Sequence, residues 1–114
     1  MTAPALQVRA ECAAPVSTLA LIGELDLDGA AQLRAALADC YARRPRRVLL
    51  DLRDLWFCDC AGLNVLLEAA VSARGLGAEL RLENVRPQVA RLFTLVGVDE
   101  VFATDRQRLP PRIL

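Results

Sequence analysis

The sequence predicts an α/β domain in which helices cover a mixed, mostly parallel sheet. Three observations point there. The chain has 114 residues, enough for one hydrophobic core and too few for two. Its apolar fraction of 54% is high for a soluble chain, so most of it should pack rather than stay disordered. Strand-like and helix-like segments alternate along it in the order β-β-α-β-α-β-α-β.

Each element has a local reason. A short strand can begin the chain at Leu6–Ala10, and LALIGEL at 19–25 reads as a better one. Asp28 is the expected N-cap of the first helix, whose inner side carries Ala30, Leu33, Ala36, Leu37, Cys40 and Tyr41. Arg43 and Arg44 suit its negative end, and Pro45 should stop it. RRVLLDL at 46–52 is short, apolar and partly β-branched, as a strand buried on both faces would be. RDLWFCDC then reads as the connection to a second helix at 61–74, apolar nearly all round, with Asn64, Glu68 and Ser72 on its wet side. Gly75 and Gly77 end it. AELRL at 78–82 alternates like a half-buried strand. Pro87 fits the first turn of a third helix, with Val89, Leu92, Phe93 and Val96 as its stripe and Gly97 as its left-handed cap. Val101 and Phe102 can form a last short strand. The tail 104–114, with two adjacent prolines, is expected to fray.

Composition narrows the function. Acidic and basic residues balance at 14 each, which argues against nucleic acid as a partner. No apolar stretch approaches the length of a membrane span, and the first ten residues lack the pattern of a signal peptide. A cytoplasmic location is expected, where Cys12, Cys40, Cys58 and Cys60 would stay reduced. Histidine is absent, which removes the commonest general base and mixed Cys/His zinc sites.

The segment FCDCAGLN at 57–64 attracts chemistry, and each option weakens on inspection. Cys58 and Cys60 are spaced too closely for a usual structural zinc pair, and no metal or other cofactor is expected. Cys60 lies at a helix start that favours thiolate, but Asp59 opposes it. Gly62 alone makes no phosphate loop. Trp56 reads equally as core or as protein-contact anchor, whereas Phe57 reads as core. Asp59 is a natural helix cap. No catalytic set emerges, so binding, not catalysis, is the expected role.

The string GELD at 23–26, the segment at 48–70 and RPQVARLFTLVGVDEVF at 86–102 together resemble the STAS domain. The likeness is greatest to the bacterial anti-sigma factor antagonists, especially actinobacterial ones. It spans roughly residues 6–103, so the chain is expected to be one STAS domain over 1–114. The resemblance implies a sheet of four or five strands with helices mainly on one side. It implies as partner an anti-sigma factor, typically a serine kinase of the histidine-kinase-like ATPase fold, whose capture frees a sigma factor. It also implies a switch: the kinase phosphorylates a serine in an Asp-Ser-Ser-Gly-Leu or Asp-Cys-Ser-Gly-Leu loop and releases the antagonist. Here Asp59, Cys60, Gly62 and Leu63 match that loop, and the phosphoacceptor position falls on Ala61, which has no hydroxyl. A phosphoserine there would add about −1.5 to −2 charges beside Asp26 and Asp59. The expected contact surface comprises Asp26, Asp28, Phe57, Cys58, Asp59, Cys60, Ala61, Gly62, Leu63 and Asn64, on a monomer or weak homodimer. Two alternatives stand beside this. The chain could serve a lipid-transport ABC system, whose STAS proteins carry Ala-Gly-Leu after a hydroxyl residue, or Ala61 could be an engineered replacement of a serine.

Overall fold

Alternation of apolar residues sets the sheet. The computed structural model describes residues 5–97 and 103–104. Strand β1 is Gln7–Glu11 and β2 is Val16–Leu25. They pair antiparallel, with Gln7 opposite Ile22 and Glu11 opposite Thr18. Every second residue of β2 is buried, from Ser17 through Leu19 and Leu21 to Leu25. Ser17 is buried without loss because its hydroxyl accepts from the Ala13 N–H at 2.9 Å and donates to the Ala13 carbonyl at 2.7 Å.

Helix α1 (Leu27–Tyr41) leads to β3 (Arg47–Cys58), α2 (Cys60–Gly75) to β4 (Glu79–Glu83), and α3 (Pro87–Val96) to the two-residue β5 (Ala103–Thr104). The sheet order is β1-β2-β3-β4-β5, and all pairs after the first are parallel. Successive parallel strands step in one direction, so right-handed crossovers place the helices on one face. That face is the core: Leu19, Leu21 and Leu25 of β2, Val48, Leu50 and Leu52 of β3, and Leu80 and Leu82 of β4 lie under Leu33, Leu37, Val65, Leu66, Val89 and Phe93 of the helices.

The other face is open and polar, which corrects the expectation that β3 is buried on both faces. Leu49 and Asp51 are only partly buried, and the Arg47–Glu79 ion pair (3.1 Å) lies across β3 and β4. β3 is also longer than expected, and RDLWFC belongs to it. Its pairing with β2 slips twice: Ala20 to Ile22 faces Asp51 to Asp54, and Gly23 to Glu24 faces Leu55 to Phe57. Each slip puts one extra residue in β3, a β-bulge. The buried positions therefore run 48, 50 and 52 and then 55 and 58. The lost period of two hides a strand from pattern reading.

Three smaller corrections concern α1 and the cysteines. Asp26, extended at φ −124° and ψ −167°, is the N-cap instead of Asp28, which lies in the first turn. Arg43 and Arg44 fall beyond the helix, and Arg44 adopts φ 52° in the turn that follows. Cys12 and Cys40 are not free thiols but a disulfide, with Cα atoms 4.5 Å apart, because α1 packs along β1. The third helix has Pro87 in its first turn and Gly97 at φ 74° as its cap, as expected, and Val89 and Phe93 of its stripe are buried, but Val96 is 46% exposed and lies off the core. The expected strand at Val101 and Phe102, and the tail from 105 on, lie outside the described residues. No described helix is long and apolar enough to cross a membrane.

Candidate functional site: the edge at the ends of β2 and β3

Leu25 and Cys58 are register partners, and the chain leaves both strands at the same edge. The next residue in each case is an aspartate that starts a helix. Asp26 Oδ1 accepts from the Gly29 N–H at 3.0 Å, and Asp59 Oδ1 accepts from the Gly62 N–H at 2.9 Å. The two caps are chemically the same: a carboxylate satisfies an otherwise unpaired first-turn N–H and lies at the positive end of a helix dipole. The sequence carries the signal as Asp-x-x-Gly at 26–29 and again at 59–62. Only at the second does the sequence reading place the cap on the right residue.

The two starts are tied together. The Asp59 N–H donates to the Leu25 carbonyl at 3.1 Å, extending the β2–β3 pairing into the turn. The same carbonyl explains Gly62: a Cβ there would lie 2.5 Å from Leu25 O and 2.7 Å from Leu25 Cγ. Helix α2 can start this close to β2 only without a side chain at 62. Farther along, Arg34 and Glu68 bridge the exposed sides of α1 and α2, with Arg34 Nε 2.9 Å from Glu68 Oε2. The hydrogen bond between them, and to a lesser degree their opposite charges, favours the ionised form of each, so the Arg34 pKa rises and that of Glu68 falls.

The expected contact residues sort into two groups. Cys58, Gly62 and Leu63 are buried and form the frame. Burial, with smaller contributions from Asp59 and Cys60, pushes the Cys58 thiol up to about 12, so it stays protonated and inert. Asp28, Phe57, Cys60 and Asn64 are exposed, and Asp26, Asp59 and Ala61 are partly so. Cys58 inside and Cys60 outside cannot converge on one metal ion. Among the described residues no group of three or more potential ligands of the His, Cys, Asp and Glu types gathers anywhere.

Three features escaped the sequence. Phe57 is 46% exposed, not core; for Trp56, where the sequence left core and contact anchor equal, 54% exposure decides against the core. The second bulge turns both outward. Leu27, 73% exposed, joins them at the same edge. Arg86, just before α3, holds Trp56 in place. Its guanidinium carbon lies 3.3 Å from the ring centroid, and its Nε donates to the Arg53 carbonyl at 2.6 Å. Gln88 adds a bond to the Trp56 carbonyl at 3.4 Å. These bonds cover the part of β3 that runs past its last β4 partner, Asp51. No local pattern links residue 86 to residue 56, although an Arg-Pro helix start beside a lone Trp is compatible with it.

Chemically, this edge offers apolar side chains, carboxylates and two helix N-termini on a rigid frame, but no nucleophile–base pair among the described residues. Such a surface can dock a protein.

Comparison with known proteins agrees in fold and family. The family described as "Mlab, STAS domain" matches residues 8–109. BtrV of Bordetella bronchiseptica, provisionally named an anti-sigma factor antagonist, is 35% identical over 88 residues, which is 77% of this chain and 76% of that protein. The anti-sigma F factor antagonist of Paenibacillus polymyxa is 30% identical over 97 residues, 84% of this chain and 83% of that one. The crystal structure of an anti-sigma factor antagonist from Mycobacterium paratuberculosis superposes with a TM-score of 0.74 at 24% identity, covering 91% of this chain and 89% of that one. At that identity the last likeness speaks for the fold.

Proposed function

The chain belongs to the STAS domain family, and from that premise we propose that it is a non-enzymatic antagonist that sequesters an anti-sigma factor and thereby frees a sigma factor. The observation that carries this reading is the Asp59-capped start of α2, which presents Cys60, Ala61 and Asn64 beside Asp28 and Phe57. The names of the relatives from Bordetella and Paenibacillus support it. We assign the partner contact to these exposed residues, with Asp26, Cys58, Asp59, Gly62 and Leu63 shaping the edge beneath them. The partner is an anti-sigma factor of the serine-kinase type, met in the cytoplasm by a monomer or weak homodimer.

Ala61 gives this surface a single state. An alanine offers no oxygen to a phosphoryl group, and neither 24–29 nor 57–64 contains a serine or threonine. The antagonist then acts whenever it is present, and its abundance sets its effect. The test is calorimetric binding to a kinase-type anti-sigma factor from the same genome, before and after incubation with that kinase and ATP. Unchanged affinity and unchanged mass are expected. Phosphate on the parent chain, or no binding at all, would refute the reading.

A second reading has one observation in its favour. Ala61-Gly62-Leu63 fits the Ala-Gly-Leu of lipid-transport STAS proteins. In that case the chain is an accessory subunit of a transport complex. Stable co-purification with an ABC-transporter ATPase, and none with an anti-sigma factor, would select it.

A further inference from the structure

Cys12 and Cys40 lie away from the docking edge and take no part in the proposed function. Cys12 sits in the turn between β1 and β2, and Cys40 in the last turn of α1, bonded to it across a sequence separation of 28. We propose that this pair is a reversible redox site of the folded chain, opened by a dithiol and closed again by an oxidised one.

The two sulfurs differ in access. Cys40 is 0% exposed, on the buried stripe with Ala30, Leu33 and Leu37, whereas Cys12 is only partly buried. An attacking thiolate reaches Cys12 Sγ alone. A new S–S bond forms to Cys12 as the Cys12–Cys40 bond breaks. Cys40 leaves with the electron pair and takes up a proton. A monothiol stops at this mixed disulfide. Cys40 remains beside it, its Cα 4.5 Å from that of Cys12, and expels the monothiol by intramolecular attack. A dithiol instead uses its second thiolate to attack its own bound sulfur. That closes the reductant's disulfide and releases Cys12. Two electrons and two protons pass from the dithiol to the protein.

The fold does not need the bond. Reduced Cys40 is a small apolar side chain in an apolar position. The turn keeps its Ser17–Ala13 hydrogen bonds and the N–H bonds from Arg46 and Arg47 to the Pro15 carbonyl (2.7 and 3.1 Å). What the disulfide adds is a second pin between β1 and α1. The first is Leu6, which lies close against Gly29. β1 is an edge strand, exposed along most of its length and paired only with β2. Reduction therefore frees one end of an edge strand and leaves the sheet intact. The site is about 20 Å from the Asp26 cap at the rise of an α-helix, so it stands or falls independently of the docking reading.

The test uses the whole chain, air-oxidised and then treated with dithiothreitol or with glutathione at equal thiol concentration. Thiols are counted by maleimide mass labelling in denaturant, and amide exchange is read on the native chain. Two thiols, those of Cys58 and Cys60, are expected before reduction and after glutathione, and four after dithiothreitol. Re-oxidation should restore two. Amides of β1 should exchange about tenfold faster in the reduced chain, with those of α2 unchanged. Cys12→Ser, a partly exposed position, should exchange like the reduced chain with or without reductant. Four thiols at the start, equal reduction by glutathione, a bond that opens only in denaturant, or unfolding on reduction would each overturn the proposal.

Discussion

Ala61 and Gly62 are neighbours with opposite tolerances. Ala61, partly exposed in the first turn of α2, has room for a hydroxyl. Ala61→Ser should fold as the parent does and accept phosphate from a kinase-type anti-sigma factor with ATP. Mass spectrometry would read the addition, and phosphorylation should then abolish binding. At Gly62 even a methyl group meets Leu25 O at 2.5 Å, so Gly62→Ala should lose about 1–3 kcal/mol in urea unfolding. At Gly75 an added Cβ would meet nothing within 4 Å, and Gly75→Ala should be neutral or stabilise by up to ~1 kcal/mol. A residue-scale pH effect also follows. The Cys58 thiol, ordinarily near 9.0, is pushed up to about 12 by burial, and the Tyr41 hydroxyl is likewise pushed from 10.0 up to about 12. In both, the unfolded chain loses its proton first. The stabilisation is therefore complete below pH 9 and is lost as pH rises towards 12. The unfolding free energy should fall by about 1 kcal/mol per pH unit at the steepest point for Cys58 and by less for the half-exposed Tyr41, and Cys58→Ala should flatten the earlier part of the decline.

Elements carry the next scale, and here the two caps can be compared. Asp59→Ala and Asp26→Ala should each cost about 0.5–2 kcal/mol in chemical unfolding, since each leaves one first-turn N–H without its acceptor. Asp28→Ala, at a position that caps nothing, should cost less than either. The sequence showed helix α2 and its cap correctly but put the cap of α1 two residues late. Both Asp26 and Asp28 precede apolar helical residues, and only the backbone geometry after Leu25 decides between them. β3 was harder to read. Arg46–Leu52 is legible as a strand, but the two bulges break its alternation, so Arg53–Cys58 resembles a loop in one dimension. The consequence is local: Trp56 and Phe57 face outward. Trp56 is the one tryptophan of the chain and reports on this directly. Arg86→Ala should remove the stacked guanidinium, raise the accessibility of Trp56 to acrylamide quenching and leave global stability nearly unchanged, whereas Arg86→Lys should restore the shielding only partly.

At the scale of the whole molecule, the sequence by itself determined the class of fold, the order of its elements, the existence of one apolar core and the Asp-x-x-Gly helix start at 59–62. These are legible because each rests on local chemistry: periodicity of apolar residues, the hydrogen-bond needs of a helix end, and glycine or proline at a turn. It also determined the absence of a hydroxyl at 61, a matter of composition at one position. The tertiary structure alone decided what depends on register and on contacts between distant residues. It paired Leu25 with Cys58, so that two helix starts share one edge. It turned Trp56 and Phe57 outward and laid Arg86 over the former. It left one face of the sheet open where a strand rich in leucine suggested two covered faces, because every crossover runs in the same sense. It joined Cys12 to Cys40 across α1 and β1, where the expected compartment argued for free thiols. Strand register and side-chain proximity are set by the packing of the entire core, and no window of neighbouring residues contains that information.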